Sequence, residues 1–244
     1  CKIPLSSQYM ITWLQSVFGK NLPTKRILLY GLQRSGTNYL ETLIQLNYPS
    51  CKFVNGPVRN EIIHKHYRLY DKKLCIPEPQ FYNNEHYQQF ADFEKALPFE
   101  APDVYLIMSK DPYSWYTSYI GWSKKNNWPK PPYHYIEEYN LFYGKWMDFA
   151  AANKRIVFIQ YAEALTNPER VLQKIANALD LPVREKIKTT KKVYASRRFT
   201  SDKKDAFLHK SYLQKITPED FVIINTLLDT GLLPKLGYHI ESTQ

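Results

Sequence analysis

The sequence predicts one α/β domain of three layers, α/β/α, with a central parallel sheet between two layers of helices. Three observations lead there. Short apolar runs at 25–30, 104–108 and 155–161 have the length and density of strands buried on both faces. Segments with apolar residues at helical spacing alternate with these runs, as crossover helices alternate with parallel strands. The first run ends in Gly31 and passes through a short loop and a second glycine, Gly36, straight into a helical segment. No internal repeat or low-complexity linker divides the 244 residues, so 1–244 reads as a single domain.

Met10, Trp13, Leu14 and Val17 place a first helix over 9–18. The strand at 25–30 follows, then a helix over 37–46 with Leu40, Leu43, Ile44 and Leu46 on one side. After the strand at 155–161, Asn167 and Pro168 give the polar cap and first-turn proline of a helix that carries Val171, Leu172, Ile175, Ala176 and Leu179. The segments 67–102 and 119–143 are rich in Tyr, Trp, Phe, Asn and Pro with weak periodicity. They predict loops and short helices above the carboxyl ends of the strands, where such folds bind ligands.

Apolar residues make up 44% of the chain, which excludes a disordered protein. Lys and Arg number 33 against 23 Asp and Glu, a net charge of +10 that favours an anionic partner. No apolar run approaches the roughly 18 residues of a membrane helix. Cys1, Cys51 and Cys75 are too few for a disulfide framework and lack zinc-site spacing. They point to a reducing, cytoplasmic setting, with a Cys51–Cys75 bridge left open. The start at Cys1 leaves room for an upstream leader or anchor.

The chemistry concentrates at strand ends. In Gly31-Leu32-Gln33-Arg34-Ser35-Gly36-Thr37 the glycines are five apart, so the backbone can curl and aim several N–H groups at one anion. The helix that follows adds its dipole. A nucleoside-triphosphate loop would continue Gly-Lys-Ser/Thr. Here Thr37-Asn38 follows, and the loop's cation, Arg34, precedes the second glycine. A second pair is Lys110, at the end of the 104–108 strand, and Ser118, eight residues on. A strand-end cation and a hydroxyl two helical turns later can converge on one phosphate.

Arg34-Ser35-Gly36-Thr37, followed by Asn38 and Tyr39, resembles the 5′-phosphosulfate loop of sulfotransferases that use 3′-phosphoadenosine 5′-phosphosulfate (PAPS). Asn38 stands where that family usually has Thr or Ser. Lys110 and Ser118 resemble its 3′-phosphate pair, with Lys for the usual Arg and so without bidentate geometry. Tyr161-Ala162-Glu163-Ala164-Leu165 through Leu181-Pro182, and Leu236-Gly237-Tyr238, resemble further family segments. The matches run from Ile27 to Tyr238.

The resemblance implies a sulfotransferase-like fold and sulfuryl transfer from PAPS to a hydroxyl or amine acceptor, a small molecule or a glycan. It implies 3′-phosphoadenosine 5′-phosphate (PAP) as the product and no metal. It assigns the 5′ end to Arg34, Ser35, Gly36, Thr37, Asn38 and Tyr39, with Arg34 on the bridging and sulfuryl oxygens. Lys110 and Ser118 take the 3′-phosphate, Tyr161 the adenine, and Arg197 and Arg198 the basic loop that closes over the phosphate. The family's His or Glu base lies just after the second strand, where this chain has Ile62-Ile63-His64-Lys65-His66. His66 aligns best and His64 stays open. In a strand the two would share one face and Lys65 the other. Glu61 and Asp71 are reserves.

Between 184 and 215 there are 11 Lys and Arg against three acids. Such a run reads as a solvated face or an anion-contacting loop. No nucleic-acid module accompanies it. Two alternatives follow from these features: an inactive module that binds an anionic polymer through 184–215, and a P-loop small-molecule kinase dependent on Mg²⁺. Trp115, Trp122, Trp128, Tyr133, Tyr135 and Trp146 are expected to pack a core, with an aromatic acceptor platform as the other reading.

Overall fold

The computed structural model describes residues 24–59, 61–69, 87–128, 133–189, 192–194, 197–198 and 201–242. The expected helix at 9–18, together with Asp71, Cys1 and Cys75, lies outside them. In chain order the elements are β1 (Lys25–Tyr30), α1 (Thr37–Asn47), β2 (Cys51–Phe53), α2 (Phe90–Lys95), β3 (Val104–Ser109), α3 (Pro112–Lys125), α4 (Tyr135–Ala152), β4 (Ile156–Gln160), α5 (Tyr161–Thr166) and α6 (Pro168–Ala178). After these come β5 (Lys192–Tyr194), β6 (Arg197–Arg198), α7 (Ser201–Leu208), α8 (Pro218–Leu227) and α9 (Leu232–Leu236).

The four main strands are all parallel, in the order β2-β1-β3-β4. Strand side chains alternate between faces, and both faces are covered. Leu28, Tyr30, Tyr105 and Ile107 join a core with α3, α4, α8 and α9. Ile27, Leu29, Val104, Leu106 and Met108 join a second core with α1 and α6. The chain leaves β1 for β2 on one side and returns to β3 on the other, so the crevice outside the carboxyl ends of β1 and β3 is a topological switch point. The Gly31–Gly36 loop and Lys110 both open there.

The elements start where their local chemistry lets them. Asp111 caps α3 by accepting from Ser114 N at 2.8 Å, with Pro112 at the first helical position. Asn167 caps α6 through Arg170 N. β2 ends after three residues, and the Asn55 side chain takes over its pairing. Its amide accepts from Leu29 N and donates to Leu29 O, both at 3.0 Å, and donates to Ile63 O at 2.9 Å.

Three expectations change. The strand at 155–161 is shorter, and Tyr161 already opens α5. Leu46 is exposed, while Asn47 turns inward and bonds Leu43 O and Lys188 O at 2.8 Å. The segment 119–143, expected as loops and short helices, holds the second half of α3 and the first half of the 18-residue α4. Tyr counts as half-polar in a sequence pattern, yet Tyr113, Tyr119, Tyr139 and Tyr143 bury their rings fully and supply the missing periodicity. Trp115 and Trp146 are buried with them, whereas Trp122, Trp128 and Tyr133 are half-exposed. Cys51 is a buried free thiol. No helix among the described residues is long and apolar enough to cross a membrane.

Arg68 and Glu138 form an ion pair with almost no solvent exposure on either side chain. Arg68 Nε donates to Glu138 Oε1 at 2.9 Å, and its Nη atoms donate to Gln33 Oε1 and to the His66 carbonyl. Glu138 Oε2 accepts from the Tyr119 hydroxyl. Removing one member leaves the other charge buried and unpaired. Glu138→Leu is expected to cost about 3–5 kcal/mol in urea unfolding. Arg68→Met with Glu138→Leu should lose clearly less than the sum of the two single changes, and strict additivity would contradict the pairing.

Candidate functional site

The loop after β1 is shaped by two left-handed residues, Arg34 (φ 72°) and Gly36 (φ 103°). Gly36 has a second constraint, because a Cβ there would lie 2.4 Å from the Tyr161 ring. Gly31 is equally confined: its Cβ would meet Ser35 Oγ at 2.6 Å and the Met108 carbonyl at 2.9 Å. Ser35 N bonds back to Leu32 O, and Tyr39 N and Leu40 N bond to Gly36 O. The amides of Gly36, Thr37 and Asn38 have no hydrogen bond among the described residues. Ser35 Oγ is buried and makes no well-formed hydrogen bond among them, although the Tyr143 hydroxyl lies beside it and donates to Met108 O. Three open amides at a helix N-terminus, with a buried hydroxyl, form a receptor for an anion.

Other expected residues stand differently around this loop. Arg34 is exposed, with its guanidinium over the Trp122 ring at 5.0 Å. Thr37 is buried in the first turn of α1. Asn38 Oδ1 accepts from Lys65 Nζ at 2.6 Å, and the same ammonium pairs with Glu41 at 3.2 Å. Tyr39 is buried edge-on against Tyr161 and bonds Ala164 O, so its ring packs the second core.

Lys110 and Ser118 are in contact: Nζ donates to Oγ at 2.8 Å. The Lys110 ammonium also lies over the rings of Tyr161 at 5.4 Å and Phe207 at 5.8 Å. Burial, helped by the charge of Arg34 and opposed by Asp111, pulls the Lys110 pKa down to about 7. Tyr139 of α4 bonds the Lys110 carbonyl at 2.9 Å and holds this strand end in place. Of the basic segment, Arg197 and Arg198 form β6, antiparallel to β5. Their side chains lie outside what is described.

The histidines are not on a strand, as the alternation reading supposed. Residues 61–67 are consecutive turns, with His64 N bonded to Glu61 O and Tyr67 N to His64 O. Glu61 itself is exposed. Because Gly31 N donates to Lys65 O at 3.0 Å, the turn is stitched to the anion loop and not to a sheet neighbour. His66 Nδ1 lies 2.7 Å from the Gly31 carbonyl. A carbonyl only accepts, so Nδ1 carries the proton and Nε2 keeps a lone pair. Burial holds the ring well below the usual histidine pKa. The Gly31 bond opposes that shift, and the charges of Arg68 and Lys65 add to it. His64 is the reverse: its Nδ1 accepts from His66 N at 3.2 Å, which leaves the proton on Nε2. Burial, then the charges of Arg59, Arg68 and Lys65, lower its pKa to about 4. The rings are 5.3 Å apart with opposite tautomers assigned by their partners.

Four residues of this site were not anticipated: Gln33, Lys65, Arg68 and Glu138. One signal was available. Glu138 falls on the face of α4 that carries Tyr135, Tyr139 and Phe142, where a carboxylate is tolerated only with a buried partner.

A family model described as a sulfotransferase domain matches residues 24–223. Among solved structures the chain is similar to the mouse sulfotransferase SULT7A1 complexed with PAP, with 14% identity and a TM-score of 0.47 over 88% of this chain and 87% of that one. No curated protein matches the chain.

The close contact of Gly36 with Tyr161 makes a test of the loop. Gly36→Ala combines the backbone strain of a positive φ with a clash on a buried ring, and is expected to cost about 1–3 kcal/mol. Thermal unfolding measures this, and an unchanged midpoint would contradict the described loop.

Proposed function

Because this chain belongs to the sulfotransferase domain family, we propose that it moves a sulfuryl group from PAPS to a hydroxyl acceptor, with His66 as the base. One observation carries the reading. The Gly31 carbonyl that starts the anion loop also fixes His66 in the tautomer whose Nε2 can take a proton. The proposed base is therefore fixed against the loop that would receive the anion.

The chain's residues divide the work. The amides of Gly36, Thr37 and Asn38 and the buried Ser35 hydroxyl fit the 5′-phosphosulfate. Arg34 supplies the positive charge that such a leaving group needs. Lys110 and Ser118, already 2.8 Å apart, fit the 3′-phosphate, and Tyr161 lies beside them. As the acceptor oxygen bonds to sulfur, the bond from sulfur to the bridging oxygen breaks and its electron pair leaves on the nucleotide phosphate. The acceptor's proton passes to His66 Nε2. A neutral imidazole at pH 7 is ready for this, and the depressed pKa keeps it so in mild acid.

In transfer assays with radiolabelled PAPS, His66→Ala is expected to lower kcat by roughly 10²- to 10⁴-fold with PAP affinity retained, whereas His64→Ala falls by less. Wild-type activity in His66→Ala would contradict the assigned base.

Lys110 adds a pH dependence. Its pKa near 7 means that the free protein loses the ammonium as pH rises above 7. A bound phosphate stabilises the charged form, so binding takes up a proton. The PAP dissociation constant should rise by up to about tenfold per pH unit above 7. Lys110→Arg, charged throughout, should flatten that slope in calorimetric titration, and an equally flat wild-type profile would contradict the placement of Lys110.

A further inference from the structure

Lys65 touches the anion loop at both of its ends. Its carbonyl accepts from Gly31 N at 3.0 Å, where the loop begins. Its ammonium donates to Asn38 Oδ1 at 2.6 Å, in the first turn after the loop, and pairs with Glu41 at 3.2 Å. Asn38 and Glu41 are three residues apart on α1 and share a face of that helix. One half-buried ammonium spans them.

The contact decides which end of the Asn38 amide is spent. An ammonium has only donors, so the atom that meets it is the amide oxygen. The nitrogen is the end left over, and among the described residues it donates to nothing. Turned the other way, the amide would offer the loop an acceptor where an anion needs donors. We propose that Lys65 is a positioning residue: its clasp fixes the Asn38 amide so that Nδ2 adds a side-chain donor to the open backbone amides of Gly36, Thr37 and Asn38. The ligand it serves is the 5′ end of the donor nucleotide. The proposal rests on the reading of this loop as the 5′-phosphosulfate receptor, and goes beyond it in giving Lys65 and the Asn38 side chain their tasks. Lys65 acts through Asn38 and touches no reacting atom. Glu41 holds the ammonium from its second side, so the donor is oriented before the anion arrives and little freedom is lost on binding.

The test uses the full chain and two nucleotides, PAP and adenosine 3′-monophosphate, which lacks the 5′-phosphate. In calorimetric titration, Lys65→Met keeps the backbone contact with Gly31 and removes the clasp. It is expected to raise the PAP dissociation constant by about tenfold and to leave that of adenosine 3′-monophosphate unchanged. Asn38→Thr supplies a hydroxyl that rotates to suit its partner and needs no clasp. In that background Lys65→Met should change PAP affinity by less than about twofold. Additive losses in the double variant mean that Lys65 acts by charge or folding alone, and overturn the proposal. So does PAP binding at wild-type strength in Lys65→Met, or an equal loss for both nucleotides.

Side-chain amide NMR on the wild-type chain reads the same claim without relying on a variant's stability. The Asn38 NH2 signals, identified by their loss in Asn38→Thr, are expected to shift when PAP or inorganic phosphate is added. PAP binding that leaves them unmoved overturns the clasp and leaves the donor reading standing. A shift with inorganic phosphate that Lys65→Met abolishes, with no PAP binding, overturns the donor reading and supports the clasp. No response to either anion overturns both.

Discussion

A guanidinium taken out of water must find an acceptor for each of its donors, and Arg68 imposes that demand at the centre of this protein. Glu138 answers from α4, Gln33 from the loop after β1, and the His66 carbonyl from the turn that carries both histidines. Three segments distant in sequence are thereby held at one point. Had an apolar contact joined them, each could slide. A charged, fully bonded group gives them a single arrangement with acceptable energy. The position of His66 relative to the anion loop follows from this constraint.

The same helix supports the other half of the site. From α4, Tyr139, the residue next to Glu138, and Tyr143, about one turn further on, bond the carbonyls of Lys110 and Met108 at the end of β3. These hydroxyls tie α4 to the backbone where β3 ends. They also fill the space behind Lys110 with aromatic rings, so its ammonium meets Tyr161, Phe207 and one serine hydroxyl in place of bulk water. Low polarity here makes the lysine's charge conditional, which an arginine's would not be.

Much of this was legible before any coordinates. The strands at β1, β3 and β4 declared themselves because a strand buried on both faces must be apolar throughout, and the glycine spacing marked the one loop that has to curl. Lys110 and Ser118 were paired by the resemblance to the family, with a spacing that permits convergence, and the structure brings them into contact. Other features were hidden for definite reasons. Periodicity in α3 and α4 rests on tyrosines, whose polar hydroxyls mask buried rings. Arg68 and Glu138 are 70 residues apart, and nothing local names the partner of a buried charge. Only the resemblance favoured His66 over His64, because a tautomer depends on what each Nδ1 meets, and that is set by a fold contact with Gly31 in one case and by the neighbouring backbone in the other.

The central claim is that the framework prepares His66, and not His64, to accept a proton. Long-range proton–nitrogen NMR correlations on the protein with ¹⁵N-labelled histidine report this directly at neutral pH. The account predicts a protonated Nδ1 and a bare Nε2 on His66, with the opposite pattern on His64. A His66 ring protonated on Nε2, or charged at both nitrogens, would contradict it.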